Sequence, residues 1–221
     1  MNGGLTLASR PPRLDRPDRL VVVGDATNLP EWVRDWCHRT GRDLHLHACT
    51  VRPPGHRPAP PHLLAAIARW GADPVLVVPP GATGAAAGAV IRHVTAALHD
   101  LPDDAPVLAA AADTARHTGS RLVLTHGLPI SFAERSVGLR TALDHAQHLL
   151  DAAARSLAAD TPDLTVETRL VRVHPHELVG ENLDTGLLVI GGPRRRIPDD
   201  LGLVARTALH HATCPVLIIP R

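Results

Sequence analysis

The sequence predicts an α/β protein with a doubly wound, mostly parallel sheet, built as two tandem units. Short aliphatic and β-branched runs alternate with segments of helical periodicity, which is the order expected of parallel strands joined by helical crossovers. The strand runs are apolar throughout, without polar alternation, and such strands are buried on both faces of a sheet. The cycle of strands and helices starts near residue 19 and again near residue 92, which indicates an internal repeat.

The first unit occupies residues 19–79 and is the shorter of the two. Its opening strand, at 19–24, is a continuous aliphatic run that stops at a glycine. Pro30 starts a helix that Gly41 ends, because proline suits the first turn of a helix and glycine its end. The remaining elements expected here are a strand at 44–50, a loop rich in proline and arginine at 52–61, a helix at 63–70 and a strand at 74–78.

The second unit occupies residues 92–221 and contains a fuller cycle. We expect strands at 94–98, 121–126, 166–173, 187–190 and 215–219, and helices at 105–118, 133–158, 176–183 and 201–211. The segment 133–158 keeps apolar residues at helical spacing over its whole length. Asp103 and Asp104 are expected to cap the helix at 105–118, and Gly119 to end it in the left-handed conformation.

Composition excludes several classes of protein. The 221 residues include 23 basic and 22 acidic ones, and every basic residue is arginine, so no overall charge favours nucleic acid or an anionic membrane. The three cysteines are far apart, which fits reduced thiols in the cytoplasm. No apolar run has the length of a transmembrane helix. We therefore expect a cytoplasmic protein, with residues 1–18 as a disordered tail and 80–91 as a linker.

Two stretches of the second unit resemble the universal stress protein family. They are Leu-Leu-Val-Ile-Gly-Gly at 187–192 and Leu-His-His-Ala-Thr-Cys-Pro-Val-Leu-Ile-Ile-Pro at 209–220, similar to a strand with a glycine loop and a closing strand of that family. The resemblance covers 92–221 and implies an adenine nucleotide alpha-hydrolase-like fold. The first unit resembles the family more weakly, as a truncated copy without its middle. Tandem members pack their halves as an internal dimer through the closing strands.

The resemblance also implies a nucleotide site. In family members that bind nucleotides, an Asp at the end of the first strand contacts the nucleoside, and a loop Gly-x2-Gly-x9-Gly-(Ser/Thr) holds the phosphates. Such a loop works because glycines allow the backbone to approach phosphate oxygens, while exposed N–H groups and a helix N-terminus donate to them.

Each unit departs from this pattern. In the second unit His99 stands where the Asp is expected, Gly191 matches the first glycine, and Arg194 replaces the second. Gly202 matches the third glycine, and Leu203 stands where Ser or Thr is expected. In the first unit Asp25 fits the nucleoside-binding position, but no glycine loop follows a fourth strand. These residues are the candidate nucleotide site, and the resemblance with these losses implies a degenerate one.

The function that the sequence favours is a non-enzymatic stress-response protein with a degenerate nucleotide site. No G-x-S-x-G nucleophile motif is present, and the paired histidines lack a third ligand nearby, so no catalytic or metal-binding residue is expected. One alternative is a protein that binds ATP or another adenine nucleotide, through Asp25 in one unit or Gly191, Arg194 and Gly202 in the other, with slow ATP hydrolysis possible.

A second alternative is an interaction module for an unknown protein partner, in which the first unit replaces a partner subunit. The chain would then be a monomer with an internal pseudo-dimer, and the other oligomeric state left open is a homodimer.

Overall fold

The computed structural model describes residues 19–24, 29–48, 67, 73–79, 81, 90–128, 138–179, 184–192 and 201–221. Within them the strands are β1 (Arg19–Gly24), β2 (Asp43–Ala48), β3 (Val75–Val77), β4 (His93–Ala97), β5 (Arg121–Gly127), β6 (Val166–Val171), β7 (Leu187–Gly191) and β8 (Val216–Ile219). The helices are α1 (Glu31–Thr40), α2 (Leu101–Thr118), α3 (Gly138–Asp160), α4 (Pro175–Leu178) and α5 (Gly202–His211).

The described strands form one eight-stranded sheet in the order β2-β1-β3-β8-β7-β4-β5-β6. Every neighbouring pair is parallel except β3 and β8, which are antiparallel, with Leu76 opposite Leu217. The expected class, a mostly parallel α/β sheet, is confirmed. The antiparallel contact between β3 and β8 joins the last strand of each expected unit.

The two groups of strands have related orders. The second group, from residues 90–221, has the order β8-β7-β4-β5-β6, and the first group, from residues 19–79, has the order β2-β1-β3. Numbered within each group, these are 5-4-1-2-3 and 2-1-3. Removing the third and fourth strands from the second group leaves 5-1-2. Renumbered as 3-1-2 and read from the other end, this is the order 2-1-3 of the first group. As a result β1 pairs directly with β3, whereas β7 lies between β4 and β8.

Apolar layers cover both faces of the sheet, as the uninterrupted aliphatic runs require. Alternate strand residues such as Val22 and Leu217 pack with α1, α2 and α3 on one face. Their neighbours, such as Val23 and Ile218, pack with α5 and the helical residue Ile67 on the other. Helices thus lie on both faces, and the core continues across the β3–β8 junction.

A polar contact also joins the two groups on the α1 side of the sheet. The Arg42 guanidinium lies 4.7 Å from the centre of the Trp36 ring, and its Nη2 atom is 3.5 Å from Asp113 Oδ2 of α2. Trp36 is fully buried in the shared core. Stacking on an aromatic face and pairing with a carboxylate both suit a planar guanidinium, so Arg42 helps to hold α1 against α2.

Several element boundaries differ from the sequence expectation. Helix α2 begins at Leu101, before the expected start at residue 105, because Pro102 is compatible with the first helical turn, where backbone N–H groups have no partner within the helix. Gly119 ends α2 with φ of 66°, as expected. The helix expected at 176–183 is described only as α4, and 180–183 lie outside the described residues.

Other expectations also fall on residues that are not described. They include the tail at 1–18, nearly all of the helix at 63–70 and most of the linker at 80–91. None of the helices that are described is both long enough and apolar enough to span a bilayer.

Candidate functional site

The strand order places a change of winding direction between β4 and β7. Helix α2, which leads from β4 to β5, packs on one face of the sheet, and α5, which leads from β7 to β8, packs on the other. Doubly wound sheets bind ligands at the carboxyl edge beside such a point. We call this place the switch-point cleft and define it by His99, Asp100, Asp104, Gly191 and Gly192.

The Arg221 side chain lies across the switch-point cleft. Its Nε donates to the Gly192 carbonyl oxygen at 3.1 Å, and its Nη1 donates to Asp104 Oδ1 at 2.8 Å. A methyl group at position 191 would collide with the Arg221 guanidinium, so a glycine there is required by this arrangement. The side chain of Arg221 is 20% exposed and that of Asp104 2% exposed.

Asp104 connects this ion pair to the end of β4. Its Oδ2 accepts the backbone N–H groups of His99 at 2.6 Å and of Asp100 at 3.1 Å, while Oδ1 accepts from Arg221. A buried carboxylate is tolerated when it is paired and hydrogen-bonded in this way. Asp104 therefore fixes the turn that leads into α2, and it is a residue of the cleft as well as of the helix start.

The structure brings some of the candidate residues together. The Arg221–Asp104 pair links Gly191 at the end of β7 to His99 after β4. Gly202 begins α5 with φ of 69°, and the side chain of Leu203 is 62% exposed. The positions of Asp25 and Arg194 lie outside the described residues.

His126, near the end of β5, lies beside His99. Their rings are nearly parallel, with centres 6.2 Å apart, and His126 Nδ1 is 2.9 Å from the Leu98 carbonyl oxygen. Because a carbonyl only accepts, Nδ1 carries the proton and Nε2 is left as an acceptor. Burial is the main cause that lowers the pKa of His126, and the nearby His99 and His145 lower it further, against the opposing hydrogen bond and Asp104.

The two described cysteines do not supply a nucleophile. Burial raises the pKa of the Cys37 thiol to about 11 and that of the Cys214 thiol to about 12. The thiolate is the reactive form, and at neutral pH both groups stay protonated. In the part of the chain that the structure describes, no group of three His, Cys, Asp or Glu residues could hold a metal ion.

Sequence reasoning missed Arg221 and assigned Asp104 only a capping role. Arg221 follows the closing strand without any motif around it, and its contact with Asp104 spans 117 positions. The only signal available was the Asp103–Asp104 pair after a strand, which is common at helix starts. Whether a side chain can contact a residue two strands away depends on the order of the strands in the sheet, and local sequence patterns do not predict that order.

We predict that the Arg221–Asp104 pair contributes far more stability than an exposed pair of the same length. Asp104→Ala leaves the largely buried Arg221 guanidinium without its carboxylate and two N–H groups without their acceptor, so the free energy of unfolding should fall by about 3–5 kcal/mol. The control is Glu167→Ala, which removes an equally short 2.8 Å pair with Arg121 whose side chains are 44% and 49% exposed. That change should cost less than about 1 kcal/mol. Urea denaturation measures both, and equal losses would contradict the prediction.

We also predict that His126 makes the fold less stable in mild acid. Its pKa is lowered in the folded state from the ordinary 6.5, so below that pH the unfolded chain binds a proton that the folded chain does not. The free energy of unfolding should therefore not depend on His126 well above pH 6.5, and it should fall as the pH drops below 6.5. His126→Gln should reduce this loss between about pH 7.5 and about pH 5.5 in urea denaturation. The exposed His148→Gln is the control, and an unchanged pH dependence in His126→Gln would refute the role of His126.

Comparison with known proteins agrees with the fold. The model of the universal stress protein family matches residues 91–220, well over half of the chain. A universal stress protein structure from Archaeoglobus fulgidus is 14% identical over 84% of this chain and 72% of that chain, with a TM-score of 0.52. A functionally unknown protein from Pseudomonas aeruginosa is 14% identical over 93% of each chain, with a TM-score of 0.51. At these identities the two structures support the fold alone.

A third structure, of the Archaeoglobus fulgidus universal stress protein in complex with dAMP, is 24% identical over 59% of this chain and 98% of that chain. Its TM-score is 0.48. No curated protein matches the chain. The extent of the family match, together with the sheet order around the cleft, identifies the chain as a member of the universal stress protein family.

Proposed function

We propose that this chain is a non-enzymatic stress-response protein whose nucleotide site is degenerate. The observation that carries the proposal is the Arg221–Asp104 ion pair, which occupies the switch-point cleft. A nucleotide phosphate entering there would meet the Asp104 carboxylate and a guanidinium that is already engaged. Freeing that guanidinium would leave the Asp104 carboxylate, which is 2% exposed, buried without its charged partner, which is unfavourable.

The neighbouring groups support the same proposal. The backbone N–H groups of His99 and Asp100, at the start of α2, already donate to Asp104 and are not free for an anion. Leu203 supplies no hydroxyl at the position where the family resemblance implies Ser or Thr, and its side chain is exposed. Anion sites at helix ends depend on such free donors. Each of these groups weakens the cleft as a phosphate site.

We predict that the wild-type chain binds no ATP. Any ligand that copurifies is first removed and identified by chromatography, and ATP with Mg²⁺ is then titrated calorimetrically up to about 1 mM, which corresponds to a binding free energy of about −4 kcal/mol. No heat of binding and no phosphate release are expected, because the pair fills the cleft.

The alternative of an adenine-nucleotide binder predicts the opposite result. If ATP binds and Arg194→Ala abolishes the binding, the second group holds a working nucleotide site and the proposal is wrong. If Asp25→Ala abolishes it instead, the site belongs to the first group. Heat that neither change alters would also contradict the prediction, because binding through the backbone of Gly191 or Gly202 needs neither side chain.

A second candidate function is an interaction module in which the first group of strands stands in for a partner subunit. The observation that favours it is the antiparallel β3–β8 pairing, with Val75 opposite Ile218 and Val77 opposite Val216. This pairing covers the edge of β8 that another copy of the chain could otherwise use. The module would bind its protein partner through other surfaces.

We predict from this second candidate that the chain is a monomer. Light scattering coupled to size-exclusion chromatography should give a mass near 23.5 kDa, the mass of one chain, because the β8 edge is already paired. The mass should not change over a wide range of protein concentration. A dimer mass that persists on dilution would reject the idea that the first group replaces a partner.

A further inference from the structure

A cavity of about 260 Å³ opens on the face of the sheet that is opposite α2 and α3. Strands β4, β5 and β6 form its floor, and Leu178 of α4 and Asp184 lie at its side. Its lining is mostly polar and comprises His93, Thr95, Arg121, Val123, Thr125, Glu167, Thr168, Arg169, Leu178 and Asp184. It shares no residue with the switch-point cleft. We call it the face cavity.

The hydroxyl of Thr95 is the first feature of the face cavity that suits a ligand. Thr95 is 3% exposed, and its hydroxyl has no hydrogen-bond partner in the portion of the chain that is described. Neighbouring buried threonines are satisfied, since Thr125 donates to the Arg169 carbonyl and Thr185 to the carbonyls of His93 and Leu187. The hydroxyl reaches the cavity, because the fully buried side-chain atom without a partner among the described residues is Trp36 Nε1 and not Thr95 Oγ1. A ligand in the cavity would bond to this hydroxyl in place of water.

The charges around the face cavity indicate what kind of molecule fits. Arg121 is already paired with Glu167 at 2.8 Å. Arg169 and Asp184 also line the cavity, and neither has an ion-pair partner among the described residues. Among the described residues, the cavity wall therefore offers one uncompensated cation and one uncompensated anion. A ligand that carries both charges would match them, whereas a pure anion or cation would meet a like charge.

We infer that the face cavity binds a small zwitterion of free amino acid size. Its carboxylate pairs with Arg169, its ammonium group pairs with Asp184, and Thr95 supplies a hydrogen bond from the floor. The volume of about 260 Å³ lies just below the range for pockets that hold drug-sized ligands, which suits a smaller molecule such as an amino acid. The inference is independent of the proposed function, because no residue of the cleft takes part.

The test uses the full chain and the twenty standard free amino acids as probes. Saturation-transfer NMR screens the amino acids, and calorimetry measures the affinity of those that bind. At least one free amino acid should bind, while its N-acetyl and its amide derivatives should bind about tenfold or more weakly, because each lacks one charge. If no amino acid binds, the cavity holds water only, and the inference is overturned. Equal binding of the derivatives would overturn the zwitterion class.

Substitutions then locate the bound amino acid. Arg169→Gln and Asp184→Asn remove exposed charges, and Thr95→Val is isosteric, so all three should fold, as thermal unfolding will verify. Each should weaken binding about tenfold. The matched control is Arg116→Gln, which removes an exposed charge on α2, on the other side of the sheet. If the control weakens binding as much as Arg169→Gln, the site lies elsewhere and the inference fails.

Discussion

The antiparallel pairing of β3 with β8 is the contact on which the arrangement of the sheet depends. Among the described strands it is the only junction between the two groups, and both strands are buried on each face. Leu76 and Leu217 face one apolar layer, while Val75 and Ile218 face the other. Separating the groups would expose two strand edges together with these side chains. Each group therefore covers the edge that the other would leave open.

The same arrangement explains why an arginine occupies the switch-point cleft. Strand β8 runs parallel to β7, so the chain beyond β8 emerges at the edge where β7 ends. Arg221 lies two residues beyond the end of β8 and reaches the Gly192 carbonyl and the Asp104 carboxylate from there. Gly191 leaves room for its guanidinium. The position of Arg221 in the cleft thus follows from the strand order and from the glycine at position 191, which has no side chain to block it.

Local sequence patterns predicted the helices and strands, but they did not predict the contacts between elements that are distant in the sequence. The aliphatic run of β1 and the glycine that ends α2 were readable, because burial and the left-handed conformation act on neighbouring residues. The sequence analysis placed the start of α2 too late, because a proline such as Pro102 can either interrupt a helix or lie in its first turn. Arg221 was missed because its partner Asp104 is 117 positions away. The face cavity was missed because its lining comes from separate strands and a short helix.

The switch-point cleft and the face cavity, both in the second group, differ in how their charged side chains are paired. In the cleft, Arg221 and Asp104 neutralise each other at low exposure, so an entering anion has to break a buried pair. In the face cavity, Arg169 and Asp184 lack ion-pair partners within the described chain, and the Thr95 hydroxyl faces the cavity without a described protein partner. A ligand there forms contacts without breaking any inside the protein, and the net gain of such contacts is what sets affinity. The charge distribution therefore favours the sheet face over the carboxyl edge as the location of the small-molecule site that we infer.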